Sequence, residues 1–268
     1  MKTKNNPLLG IHSLLMMIFI YVPIVFIVLF SFNDSRLSAQ WSGFTFDWYR
    51  SLLDNENVMD ALSNSLIVAV VSTIFATILG TMAALAMRNI RSKWKGTMSG
   101  LLYLPVIIPD IIMGLSLLVL FTQFHFSLGK LTVIIAHITF SLSYVYVIVN
   151  SRLAGMGAQL EEAAQDLGAS GWQTFRHVTL PQIMPGIISG AIIAFTMSID
   201  DFMVSFFVSG PDSTTLPIYI YGQVKRGISP EINALCTILI VVSVLLIFLA
   251  QFVLNRGKGQ KKRSMLPF

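Results

Sequence analysis

The chain alternates long apolar runs with shorter polar ones. Six runs, about 12 to 32, 65 to 87, 98 to 121, 131 to 149, 186 to 208 and 232 to 254, each have the length to cross the roughly 30 Å hydrocarbon core as a helix. In lipid only helices and closed barrels satisfy every backbone amide and carbonyl, and runs of this length exclude short barrel strands. The pattern therefore predicts an all-α polytopic membrane protein with six transmembrane helices in one domain, residues 1 to 268. The first run follows Lys2 and Lys4, as a secretory signal would, but it exceeds a signal core and no small-x-small cleavage site follows it, so it is expected to stay as a span.

Composition agrees with this reading, with 54% hydrophobic and 12% charged residues and a mean hydropathy of +0.73. Charge adds an orientation. Thirteen of the Lys and Arg residues lie in the N-terminus, the turn from Arg88 to Gly96, the segment with Arg152 and Arg176, and the C-terminal tail, against five in the alternate loops. The positive-inside rule then puts both termini and the 150–185 loop on the cytoplasmic side of the membrane. The net charge of +5 follows from that topology and from anionic headgroups, and needs no nucleic-acid partner.

The external loop from about 33 to 61 carries acidic residues and Trp41, Phe44, Phe46, Trp48 and Tyr49, which read as an interfacial belt. A second external segment, 209 to 231, is long enough for its own surface helix. In the cytoplasmic 150–185 loop, a helix from about Gln159 to Leu167 should end at Gly168, which adopts a left-handed conformation without steric cost. Ser170 and Gln173 then form a capping box for a second helix, which Pro181 should keep from continuing smoothly. The first helix presents Glu161, Glu162 and Asp166, charges that anionic lipid repels, so a protein partner suits this loop better than the membrane surface.

Catalytic chemistry has no foothold. ATP hydrolysis needs a phosphate-cradling Gly-rich loop ending in Gly-Lys-Ser/Thr, and the nearest string, Gly129-Lys130-Leu131, has Phe124 at the first glycine position and Leu131 at the hydroxyl position. His12, His125, His137 and His177 show no metal-ligand spacing and read as packing or interfacial residues. Cys236 reads as packing.

Three carboxylates remain inside the runs: Asp110, Asp200 and Asp201. Each costs about 2.5 to 3.5 kcal/mol to insert, so they should face a partner or a wet pathway. At 1.5 Å per residue, Asp110 and Asp200 lie roughly 18 and 21 Å from the cytoplasmic ends of their spans, at matching depth. Pro105 and Pro109 should interrupt the third span just before Asp110, which could equally cap the half-helix that follows. Asp200 and Asp201 are about 100° apart on a helix, so one of them, read as Asp200, faces a lumen. No Lys or Arg lies within any run, so no intramembrane cation from this chain is expected to neutralise them. That pattern favours a cationic solute.

Glu162-Ala163-Ala164, three residues, Gly168, nine residues, then Val178-Thr179-Leu180-Pro181 resembles the EAA loop by which membrane subunits of bacterial ABC importers contact their ATPases. Ser198-Ile199-Asp200-Asp201-Phe202, Gly210-Pro211, Leu216-Pro217-Ile218-Tyr219, Gly227 to Ala234, Asn33-Asp34-Ser35-Arg36 and Pro109-Asp110-Ile111 are similar to the C-subunit permeases of spermidine/putrescine ABC importers. The resemblance implies the type I ABC importer (MetI-like) permease fold, a second permease subunit in a heterodimer, two ATPase subunits holding ATP and magnesium, and an extracytoplasmic polyamine-binding protein. It implies no cofactor in this chain. It assigns Glu162, Ala163, Ala164, Gly168 and Pro181 to ATPase coupling. An ABC permease for another solute, or a proton-coupled carrier using Asp110 and Asp200 as relays, is the alternative.

Overall fold

The computed structural model describes residues 7–35, 40–90, 92–227 and 229–245. Among them the secondary structure is helical, apart from one isolated antiparallel bridge between Asn33 and Phe44. The described residues up to 59 and from 220 onward form one compact unit, and residues 60–219 form another.

In the first unit, α1 (Pro7–Phe30) is a span whose apolar stretch has 0% of its residues buried, as expected of a helix that meets lipid or another chain. Past its end the loop folds onto the fully buried Asn33. Its side-chain amide donates to the Gln40 carbonyl, its Oδ1 accepts from the Ser42 amide, and its own carbonyl accepts from Trp48 Nε1. Phe32, Phe44, Phe46 and Tyr49 pack ring to ring beside it, so the expected aromatic belt includes a folded cluster and leads into α2 (Asp47–Asp54). Asn55 donates to Glu231 at 2.8 Å, near the start of α12 (Pro230–Leu245). The sixth predicted span runs beyond α12 and lies partly outside the described residues, as does the basic C-terminal tail.

The second unit contains most of α3 (Glu56–Asn89), α4 (Lys95–Ile107), α5 (Asp110–Gln123), α6 (Lys130–Ala154), α7 (Gln159–Asp166), α8 (Gly171–Thr174), α9 (Leu180–Asp200), α10 (Met203–Val208) and the start of α11 (Leu216–Arg226). α3, α6 and the continuous Gly171–Asp200 rod are long and apolar enough to cross a membrane. The expected interruption of the 98–121 run is present at Pro109, where α4 and α5 meet at 109° across Ile108 and Pro109. Pro109 lacks the amide that would continue the ladder and holds Ile108 extended, whereas Pro105 stays inside α4. The 186–208 run is broken too, with Asp201 extended between α9 and α10. Depths counted along straight helices therefore do not hold.

Pro181 does not stop its helix. The five-residue π turn Phe175–Thr179 leads directly into α9, with Pro181 in its first turn. A widened π turn relaxes the register where a proline ring would otherwise meet the carbonyl four residues back. The predicted helix in 209–231 is α11.

Two clusters build the core of this unit. Met113, Leu117 and Phe121 of α5 pack with Val133, Ala136 and Phe140 of α6 and Val204 and Val208 of α10. Ala84 and Met87 of α3 pack with Val145, Tyr146 and Val149 of α6 and Ile183 and Ala194 of α9. Helices approach closely at α6, where a Cβ built on Gly80 would lie 2.8 Å from both the Leu142 carbonyl oxygen and Val145 Cβ, while one on Gly190 would lie 3.3 Å from Val145 Cγ1. Small residues let backbones meet where lipid supplies no hydrophobic drive. Gly80→Ala should therefore lower thermal stability in detergent by about 1 to 3 kcal/mol, whereas Gly100→Ala, whose Cβ meets nothing within 4 Å, should not. Equal melting temperatures for the two variants would contradict this packing.

Candidate functional site

The two broken helices bring the predicted carboxylates together. Asp110, Asp200 and Asp201 line one cavity of about 300 Å³, along with Phe140, Phe202 and Thr196. Asp110 is the first residue of α5 and is exposed, and its charge sits where the helix dipole favours an anion. Asp200 is the last residue of α9 and is likewise exposed.

Asp201 differs. Only 9% of its side chain is exposed. Its Oδ2 accepts from the Ser205 amide at 2.8 Å and its Oδ1 from the Val204 amide at 3.3 Å, so it takes up otherwise unpaired donors at the start of α10. On its other side His137 Nε2 lies 3.3 Å from Oδ2. His137 is fully buried on α6, with Nδ1 2.6 Å from Ser198 Oγ of α9 and Nε2 2.9 Å from Ser205 Oγ of α10. Ser198 in turn contacts Ser72 of α3 at 3.1 Å.

This corrects one expectation: His137, read as packing or interfacial, is a polar hub spanning the α9–α10 break. The signal for it was available: one imidazole inside an apolar run, in a chain whose buried carboxylates lacked any Lys or Arg partner. Linear spacing hid it because its partners lie 61 to 68 residues away.

At the other end of the Gly171–Asp200 rod stands the 150–185 loop. α7 ends as predicted: Gly168 has φ +86°, its amide donates to the Gln165 carbonyl and that of Ala169 to the Ala164 carbonyl, a paired C-terminal closure. Ser170 and Gln173 form the capping box of α8, with Ser170 N donating to Gln173 Oε1 at 2.8 Å. Glu162, Ala163, Gly168 and Pro181 are exposed and Ala164 is partly covered. Beside them Leu167 is 90% and Trp172 67% exposed. Sequence reasoning missed the tether of this loop. Both oxygens of Glu161 accept from Arg88 at the end of α3, at 2.7 and 2.8 Å, and Thr179 Oγ1 donates to the same carboxylate at 2.6 Å.

The comparisons bear on this geometry. Residues 76–259 match the family described as binding-protein-dependent transport system inner membrane component. The chain belongs to that family. This permease is 43% identical over 242 residues to the spermidine/putrescine transport system permease protein PotC of Escherichia coli K12, covering 90% of this chain and 92% of that protein. It is 41% identical to the Haemophilus influenzae protein of the same name, over 89% of this chain and 93% of that one. It is 40% identical to the putrescine transport system permease protein PotI of E. coli K12, over 92% and 90%. In fold it is similar to a bacterial ABC transporter involved in the import of the acidic polysaccharide alginate, with a TM-score of 0.72 at 19% identity over 93% of this chain and 94% of that one. It also resembles the MetNI methionine ABC transporter, with a TM-score of 0.64 at 20% identity, over 75% and 98%. The expected type I ABC importer permease fold and the resemblance to polyamine permeases are both borne out.

The Arg88 hydrogen bonds, helped by Thr179, hold the Glu161 carboxyl below its ordinary value of 4.5 against the opposing effect of burial. A depressed carboxylate contributes stability above its unfolded pKa and loses it as pH falls through the folded one. Proteolysis of the 150–185 loop in the permease should therefore accelerate below about pH 4.5, by roughly fivefold at most, since so exposed a pair is worth about 1 kcal/mol or less. Glu161→Gln should be cleaved faster already at pH 7 and respond less to acid. A wild-type loop as resistant in acid as at neutrality would count against the tether.

Proposed function

We propose that this permease is one half of the translocation pathway of an ATP-driven importer of polyamines, with Asp110 and Asp200 as its carboxylates for the passing substrate. The observation that carries the reading is the cavity: two exposed carboxylates, each at a helix break, share a wall with Phe140 and Phe202 and with no Lys or Arg. The names of the PotC and PotI relatives support the same solute class. A polyamine entering a partly dry path loses hydration at each ammonium. A carboxylate about 4 Å away returns on the order of 4 kcal/mol at an effective dielectric near 20, and aromatic faces add cation–π attraction. Two such groups hold the solute without trapping it. An anion would meet repulsion on the same wall.

Energy comes from outside the chain in this reading. The loop carrying Glu162, Ala163, Ala164 and Gly168 docks on a separate ATPase, with Leu167 and Trp172 as apolar contacts beside Glu162 and Asp166. Because Gly171–Asp200 is one helical rod, a push on the loop reaches Asp200 directly, and Pro181 lies within that rod near its loop end. A second permease chain completes the cavity, two ATPase subunits bind ATP, and an extracytoplasmic binding protein delivers the solute. Both termini face the cytoplasm.

The test is uptake of radiolabelled spermidine and putrescine by cells carrying the complete importer, at matched membrane expression. Asp110→Asn and Asp200→Asn keep size and hydrogen bonding but remove charge, so each should reduce uptake about tenfold or more, with assembly preserved. Unimpaired uptake by the double variant would eliminate the acidic pathway.

A further inference from the structure

One carboxylate fastens α7 to the membrane helices. None of the side chains of α7 is buried, and among the described residues the side-chain hydrogen bonds that join it to other elements all end on Glu161. Each oxygen of Glu161 accepts from one nitrogen of the Arg88 guanidinium, a fork that fixes orientation as well as distance. Arg88 lies in the last turn of α3. Thr179, which donates to the same carboxylate at 2.6 Å, is the last residue of the π turn that leads into α9. Around these three side chains lies a cavity of about 170 Å³, lined also by Gln165, Thr174 and Phe175. Polar contacts, and not close packing, therefore hold α3, α7 and the π turn together here. The π turn is the weak joint of the Gly171–Asp200 rod, because widened turns are among the places where helices bend. Deeper in the membrane α3 meets the same rod again, where the buried Ser72 and Ser198 hydroxyls lie 3.1 Å apart two residues before Asp200.

Resting on the reading above that a separate ATPase docks on this loop, we propose that the Arg88–Glu161–Thr179 clamp sets how much solute is moved per ATP, by bracing the π turn and making α3 and α9 move together. With Thr179 held by Glu161, and Glu161 by Arg88, a displacement of Leu167 and Trp172 is not spent on bending the π turn. It carries the start of α9 and the end of α3 in the same direction. The two helices then stay in register at Ser72 and Ser198, and the stroke arrives at Asp200. Without the clamp the π turn bends, and part of each stroke is lost before it reaches the cavity. Arg88, Glu161 and Thr179 lie outside the wall of the substrate cavity, so they are positioning residues that act through α3 and α9.

The experiment reconstitutes the complete importer in proteoliposomes and measures the ratio of radiolabelled spermidine taken up to phosphate released by the same vesicles. Arg88→Gln and Glu161→Gln each break the fork, and the ratio should fall about two- to fivefold, the effect of a partly exposed ion pair. The double variant should fall no further than the lower of the two single variants, because the pair acts as one unit. Thr179→Val keeps the shape of the side chain, removes the brace on the π turn and leaves the ion pair in place, and it should lower the same ratio. A purely structural role would reduce the amount of assembled importer, and with it uptake and hydrolysis in step. The ratio would then keep its wild-type value in every variant, and that result overturns the proposal. So does a double variant whose loss is the product of the two single losses. Should the glutamine variants fail to assemble, Thr179→Val decides alone by whether its ratio falls. A wild-type importer that takes up spermidine without ATP, or takes up none with it, would instead overturn the functional reading on which the proposal rests.

Discussion

The contact between His137 and Asp201 is the interaction on which the rest of the site depends. A carboxylate in the membrane interior is costly unless it is paired, and breaking one partner of such a pair costs more than the pair contributes. Here the pair also performs a geometric task. Asp201 is held extended between α9 and α10 while its oxygens collect the first amides of α10, and His137 ties that break to both flanking helices through Ser198 and Ser205. Without the break, α9 would run on and Asp200 would be an ordinary mid-helix residue. With it, Asp200 becomes a helix end on a cavity wall.

The second break answers the first. Pro109 turns the chain through 109° and leaves Asp110 at the start of α5. α5 then packs against α10 through Met113, Leu117, Val204 and Val208. This approach depends on the absence of a side chain at Gly114, where a Cβ would lie 2.7 Å from Phe207. Two interrupted helices, packed beyond their interruptions, bring together carboxylates ninety positions apart in the chain. Irregular backbone at membrane depth is tolerated where it lines a cavity, and that is where it occurs here.

Much of this was legible in the sequence, for identifiable reasons. Apolar run length announced helical spans because lipid leaves the backbone few alternatives, and the residues from Gln159 to Gln173 announced a helix, a glycine closure and a capping box because those signals are local. Pro109 marked a break, but its angle depends on what α4 and α5 pack against, which linear order does not contain. The 186–208 run carried no proline to mark its own break. That break comes from Asp201 capping α10 and from His137 across the bundle, both tertiary effects. The Arg88 tether to Glu161 was hidden for the same reason, since its partners sit on different helices, α3 and α7. Pro181 misled because a π turn absorbs a proline that an ideal helix could not.

The proposed pathway divides the labour among three acidic residues: Asp201 maintains the shape, while Asp110 and Asp200 are proposed to meet the solute. The most direct measurement is a high-resolution cryo-electron-microscopy map of the complete importer trapped with spermidine in its membrane cavity. The account predicts ammonium groups within about 4 Å of the Asp110 and Asp200 carboxylates, with Asp201 still seated on His137 and the amides of α10. Spermidine paired to Asp201 with His137 displaced, or a solute path that bypasses the cavity between the two helix breaks, would contradict it.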